Sequence, residues 1–256
     1  MSRASLDSMA RLKRPLSAEE LDWQKLITAK VLCWNSFRDS LGMLFPQIQL
    51  PDTVQVLLGF LGNDDGFTYR NRTVCIDLTA LCRAYGKAGL PENDSRIDRI
   101  FSHEYTHLLH KAWAVKSNLR LNNFKDSILW ECLYEGVGTY RSLNAKWLPV
   151  NGALPAVTVA TLKELYPVFA ERLIIIGTTM SLSPEEKVFL NSHLSRGNVN
   201  QKWGAFTVGI WLALEAQGDD RKLAALIDKG PPVVLQLAQQ YLPVKYRDEL
   251  KRAFNK

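Results

Sequence analysis

The chain has 256 residues, 46% of them hydrophobic and 23% charged, close to the average of a soluble globular protein. That composition excludes a disordered tail, a collagen-like fibre and a coiled-coil rod. Lys and Arg number 32 against 26 Asp and Glu, a net charge of +6 that is spread along the chain apart from a small cluster at Arg11, Lys13 and Arg14. Without aromatic residues interleaved among these charges, no nucleic-acid partner is expected.

Residues 1–15 read as a flexible basic arm. Ser17 and Glu20 are spaced as a capping box that opens a helix, and Leu21, Ile27, Val31 and Trp34 recur at helical spacing behind it. Pro46 and Pro51 bracket a connection. Thr53–Phe60 and Thr73–Leu78 are β-rich, with a turn signal at Asn63-Asp64-Asp65-Gly66, and predict a small sheet, antiparallel or mixed, with these two stretches as an antiparallel pair. After a loop at Pro91–Asp94, capped by Asp94 or Ser95, the pattern turns helical. Helices are predicted near 95–115, 126–144, 156–176, 184–195, 203–217, 220–229 and 232–241, with a last one from about 244. The fold class is α+β: one domain over 1–256, with a helix-and-sheet lobe at 16–94 and a helical lobe at 95–256.

No apolar run reaches the ~18 residues of a membrane span; Leu173–Ile176 is broken by Arg172 and Thr178. No secretory signal core stands at the N-terminus, so the chain as written is expected in the cytoplasm, or exported if a leader has been removed. Cys33, Cys75, Cys82 and Cys132 form no CxxC pair and are read as free, mostly buried thiols.

Three of the four histidines fall within eight residues, in Phe101-Ser102-His103-Glu104-Tyr105-Thr106-His107-Leu108-Leu109-His110. This contains HExxH. Side chains four apart stand one above the other on a helix, so His103 and His107 can bind one ion, with Glu104 beside it as the base for an attacking water. Neutral imidazole suits Zn²⁺, one per chain. Ile97, Phe101, Tyr105, Leu108 and Ala112 make an apolar stripe, and the histidines lie on roughly the opposite side, facing a cleft. A third ligand is required. His110 is seven residues from His103, about 10 Å of helix, too far to share the ion comfortably. A second helix offers Glu135 and, one turn earlier, Glu131, with Leu129, Leu133, Val137 and Tyr140 behind them. Both carboxylates point to one side, and periodicity alone does not choose between them. Gly136 favours Glu135, by giving the metal helix room, and leaves Glu131 as outer-sphere support or alternative ligand.

At these residues the chain resembles the gluzincin metallopeptidases, HExxH enzymes whose third ligand is a glutamate on a following helix. Tyr134-Glu135-Gly136-Val137-Gly138-Thr139-Tyr140 is similar to the Glu-Gly helix of aminopeptidases and of bacterial zinc-dependent proteases. The resemblance covers about residues 50–145 and, weakly, Trp203–Leu214. It implies a zincin-like fold, a peptide or protein substrate aligned on the sheet edge, and hydrolysis with Glu104 as general base. It also implies an oxyanion-stabilising group in the C-terminal lobe. His193 is the first choice, with Arg196, Tyr140, Tyr241 and Tyr246 as the other candidates. The rival readings are a non-catalytic, zinc-stabilised binding module derived from a peptidase, and a narrowly specific exported effector protease.

Overall fold

The computed structural model describes residues 14–49, 51–62 and 64–254. The expected arm therefore lies outside the described residues except for Arg14 and Pro15. The chain divides into two compact units: one takes the described residues up to Gly42 together with Gln47–Ala112, the other Met43–Pro46 and the described residues from Trp113 onward.

The first unit begins with α1 (Ala18–Val31) and α2 (Asn35–Gly42). The capping box of α1 is formed in both directions: Glu20 N donates to Ser17 Oγ (3.2 Å), and Ser17 N donates to the Glu20 carboxylate (2.9 Å). Its buried face is Glu20, Trp23 and Ile27; Leu21 and Val31, expected inside, are exposed. Three strands follow: β1 (Gln55–Gly59), β2 (Gly66–Tyr69) and β3 (Thr73–Asp77). They lie in the order β1-β3-β2, with β1 parallel to β3 and β2 antiparallel to it. The expected antiparallel pair is thus corrected: β1 and β3 run parallel, Gln55 opposite Thr73, and the short β2 supplies the hairpin. The hairpin turn falls at Arg70–Arg72, with Arg70 left-handed at φ 52°. β3 is buried along its whole length because a strand lies on each side of it.

A helix not expected from the sequence, α3 (Leu78–Tyr85), follows β3 directly. Asp77 ends the strand and caps the helix: its carboxylate accepts from Ala80 N (2.8 Å) and also from Leu61 N (2.5 Å) and Gly62 N (3.0 Å). Next comes α4 (Pro91–Lys116), whose last four residues belong to the second unit. It starts at Pro91, earlier than the Asp94 or Ser95 cap expected, because Pro suits a first helical position. Asn93 is fully buried and donates to Tyr85 O (3.1 Å) and Lys87 O (2.9 Å). Asp94 and Asp98 bind Lys30 at 2.7 and 2.9 Å, and Trp34 stacks on Phe101 at 4.1 Å, which fixes α1 against α4.

The second unit is helical: α5 (Phe124–Ser142), α6 (Ala156–Thr178), α7 (Pro184–Asn191), α8 (Ala205–Ala216), α9 (Asp220–Ile227), α10 (Val233–Tyr241) and α11 (Val244–Phe254). A helix apolar on every side must be buried on every side. That is α8, where Phe206, Val208, Ile210, Trp211 and Leu212 are all buried. The fold is α+β and mostly helical, with eleven α-helices and one three-stranded mixed sheet among the described residues. None of these helices is long and apolar enough to cross a membrane.

Candidate metal centre

His103, Glu104 and His107 occupy the middle of α4. One turn apart, His103 and His107 bring their Nε2 atoms to 2.9 Å, with the rings nearly perpendicular. Two nitrogen ligands of one tetrahedral zinc, each about 2.0–2.1 Å from the ion, are separated by roughly 3.3 Å. The pair is already close to that spacing. The surroundings of this helix differ from the two-sided pattern expected. His107 and Glu104 are buried at 5% and 8% exposure, His110 is fully buried, His103 is half-buried, and Ala112 is exposed. Over residues 101–110 the helix is enclosed nearly all round, not apolar behind and open in front. Burial, and next the neighbouring His107, hold His110 neutral by pushing its pKa down to about 3.

The outer strand β2 runs beside this stretch of α4. A Cβ on Gly66 would stand 3.0 Å from Glu104 Cγ and 3.1 Å from its Oε1, so any larger residue there would press on the Glu104 side chain. Farther along, Lys111 Nζ donates to Thr68 Oγ1 (2.6 Å). Cys75 on β3 feels the same carboxylate: burial first, then the charge of Glu104, push its thiol up to about 11. In the sequence Gly66 belongs to a turn signal; its place beside Glu104 depends on β2, which is too short to stand out in the pattern.

The third candidate ligand lies on α5. Asn123 caps this helix by accepting from Asp126 N (2.9 Å), and Ile128, Leu129, Cys132, Leu133 and Val137 bury its inner face. That leaves Glu131 and Glu135 half-buried. Burial raises the Glu131 pKa, the neighbouring Asn191 amide opposes that, and the charge of Glu135 adds to it. Cys132 is fully buried; desolvation, then Glu131 and Glu135, keep it a thiol. Among the described residues, His103, His107 and Glu135 are the group that can hold a metal ion: each offers one ligand atom, and these all lie within 4.8 Å of one another. Two imidazoles and one carboxylate suit Zn²⁺.

The reason given for Glu135 does not survive. A Cβ on Gly136 would meet Val208 Cγ1 at 2.7 Å and Gly209 N at 3.3 Å, so Gly136 serves the crossing of α5 with α8. Trp113, near the end of α4, stacks on Trp130 of α5, with ring centroids 6.3 Å apart. His193 is exposed on the turn after α7, in the left-handed region at φ 58°. Tyr140 is half-buried beside a cavity of about 500 Å³ lined also by Asn151, Ala213 and Gln217. Tyr241 donates to Glu215, and Arg196 is exposed. All four cysteines are free; Cys33 is exposed.

No family model, no curated protein and no solved structure matches this chain.

Proposed function

We propose that this protein is a zinc-dependent peptide-bond hydrolase of gluzincin-like design, with a zincin-like arrangement of sheet edge and metal helix. The observation that carries the reading is the grouping of His103, His107 and Glu135 ligand atoms within 4.8 Å, with Glu104 next to His103 in the same HExxH. These three residues would hold one Zn²⁺. When bound, the ion supplies Lewis-acid chemistry towards a carbonyl and a water. The rest is done by the chain. Glu104, fixed beside β2, accepts the proton of the attacking water and returns it to the leaving amine. β2 is one of the two edge strands of its sheet, and the one beside Glu104, so an extended peptide can add alongside it and pass the carboxylate at Gly66. Glu131, half-buried one turn before Glu135, has the supporting role on α5. His193 would donate a hydrogen bond to the developing oxyanion, and His193→Ala should then lower kcat by roughly 100-fold or more with zinc content unchanged.

The deciding experiment compares Glu104→Gln with wild type in a peptide-library digest, with and without chelator. Metal content should stay near wild type while hydrolysis falls at least about 100-fold. Normal cleavage by the variant refutes the role of Glu104. A wild type that cleaves no peptide favours the non-catalytic binding module.

A further inference from the structure

Two rows of side chains run along α4, each with four-residue spacing. One is Arg96, Ile100, Glu104; the other is Arg99, His103, His107. Residues so spaced stack along one helix face. Each row carries an arginine ahead of a residue of the proposed chemistry; one turn before these arginines stand Glu92, which is exposed, and Ser95. The first row faces the sheet, since a Cβ on Gly66 would meet Ile100 Cγ2 at 3.1 Å as well as Glu104.

Both arginines are half-buried. Arg96 lies over the Tyr85 ring, 4.3 Å from its centroid, and donates to Asn93 Oδ1; Arg99 donates to Ser95 Oγ (2.9 Å). These partners are neutral. The nearest acid in sequence, Asp98, is engaged by Lys30 Nζ (2.9 Å) and Trp34 Nε1 (2.8 Å). Asp65, at the start of β2, accepts from the Tyr85 hydroxyl. Neither guanidinium has a carboxylate in ion-pair contact among the described residues. Desolvation, then the charge of Arg96, lowers the Arg99 pKa, and the charge of Asp98 opposes them in part. Asp98 and Asp65 act on this cluster without pairing with it, and two adjacent, partly desolvated guanidinia with no ion-paired carboxylate gain from a further anion.

We propose that Arg96 and Arg99 form a subsite for a substrate carboxylate, so that the preferred ligands are peptides with an acidic residue near the bond presented to Glu104. The register of this subsite rests on the hydrolase reading; the binding of an anion does not. Arg99 precedes Glu104 by five positions, about 7.5 Å along the helix, which an extended peptide spans in about two residues. The acidic side chain therefore belongs about two positions from the scissile bond, on the side nearer Asp65. A planar guanidinium pair suits a carboxylate because it can donate in parallel.

The test uses full-length Glu104→Gln protein and fluorescent octapeptides in which one Glu, or its isostere Gln, is moved through every position. Fluorescence anisotropy should show roughly tenfold or tighter binding for Glu over Gln at one position, weakening as salt rises. In the Arg96→Gln/Arg99→Gln background that preference should vanish. Arg99→Lys, which keeps the charge, should retain part of it, and this covers the case in which the double variant misfolds. Equal affinity for Glu and Gln peptides at all positions overturns the proposal, as does binding of neither at about 1 mM. In parallel, the fragments released by wild type are identified by mass spectrometry. Absence of cleavage with the Glu preference intact sinks the hydrolase reading alone; cleavage with no acidic residue at a fixed offset sinks the subsite alone.

Discussion

Replacing Gly136 by alanine sets helix propensity against packing. In an isolated helix the change would stabilise by about 1 kcal/mol. Here the new methyl would stand 2.7 Å from Val208 Cγ1, 2.9 Å from Val208 Cβ and 3.3 Å from Gly209 N. Val208 is fully buried and β-branched, with essentially one rotamer open to it in a helix, so it cannot swing aside. The Gly209 nitrogen is backbone. Relief must come from moving α5 against α8, which belongs at the upper end of overpacking costs, about 3 kcal/mol. The net effect is a loss of about 2 kcal/mol, or a fall in Tm of roughly 4–8 °C for a chain of this size. Differential scanning calorimetry on metal-free protein measures it. Val208→Ala should cost less in the Gly136→Ala background than in wild type, because it removes the obstructing methyl groups; the coupling should be about 1 kcal/mol or more. A Tm that holds or rises in Gly136→Ala would refute the close approach of these helices. It would also return the glycine to the role the sequence suggested, room for the metal helix.

Three further outcomes are expected. The protein should bind one Zn²⁺ per chain; His103→Ala or His107→Ala should abolish tight binding, and full zinc content in the double variant would refute the site. In a competition titration against a chelator, Glu135→Ala should lower zinc affinity far more than Glu131→Ala, whose loss should stay within about 10–100-fold; the reverse order would move the ligand to Glu131. Glu20 provides a pH test in the first unit. The hydrogen bond from Arg14, aided by those from Thr79 and Ser17, holds its carboxyl near pH 2 against an ordinary 4.5. A depressed carboxyl stabilises above its unfolded value, so the stability gap between wild type and Glu20→Gln should be fully present above pH 4.5 and close as pH falls towards 2. Urea midpoints measured across that window check the sign, and a gap that widens on acidification would contradict it.

The features legible in the sequence were those set within a few residues. The Ser17–Glu20 capping box forms, because it needs only a cap and its third helical residue. The helical stretches after residue 95 were readable for the same reason, since hydrogen bonds four residues apart make the pattern local. Juxtaposition of His103 and His107 follows from helix periodicity alone. Strand pairing does not follow from local pattern. β1 and β3 lie parallel because a four-residue β2 takes the hairpin position, and GFTY is too short to announce a strand. α3 was hidden because Asp77 both ends a strand and caps a helix, and only its bonds to Leu61, Gly62 and Ala80 reveal the second role. The burial of His110 and the true partner of Gly136 lay beyond any helical wheel. Periodicity tells which residues share a face; what covers that face is decided by contacts between residues far apart in the chain, and those exist only once the chain has folded.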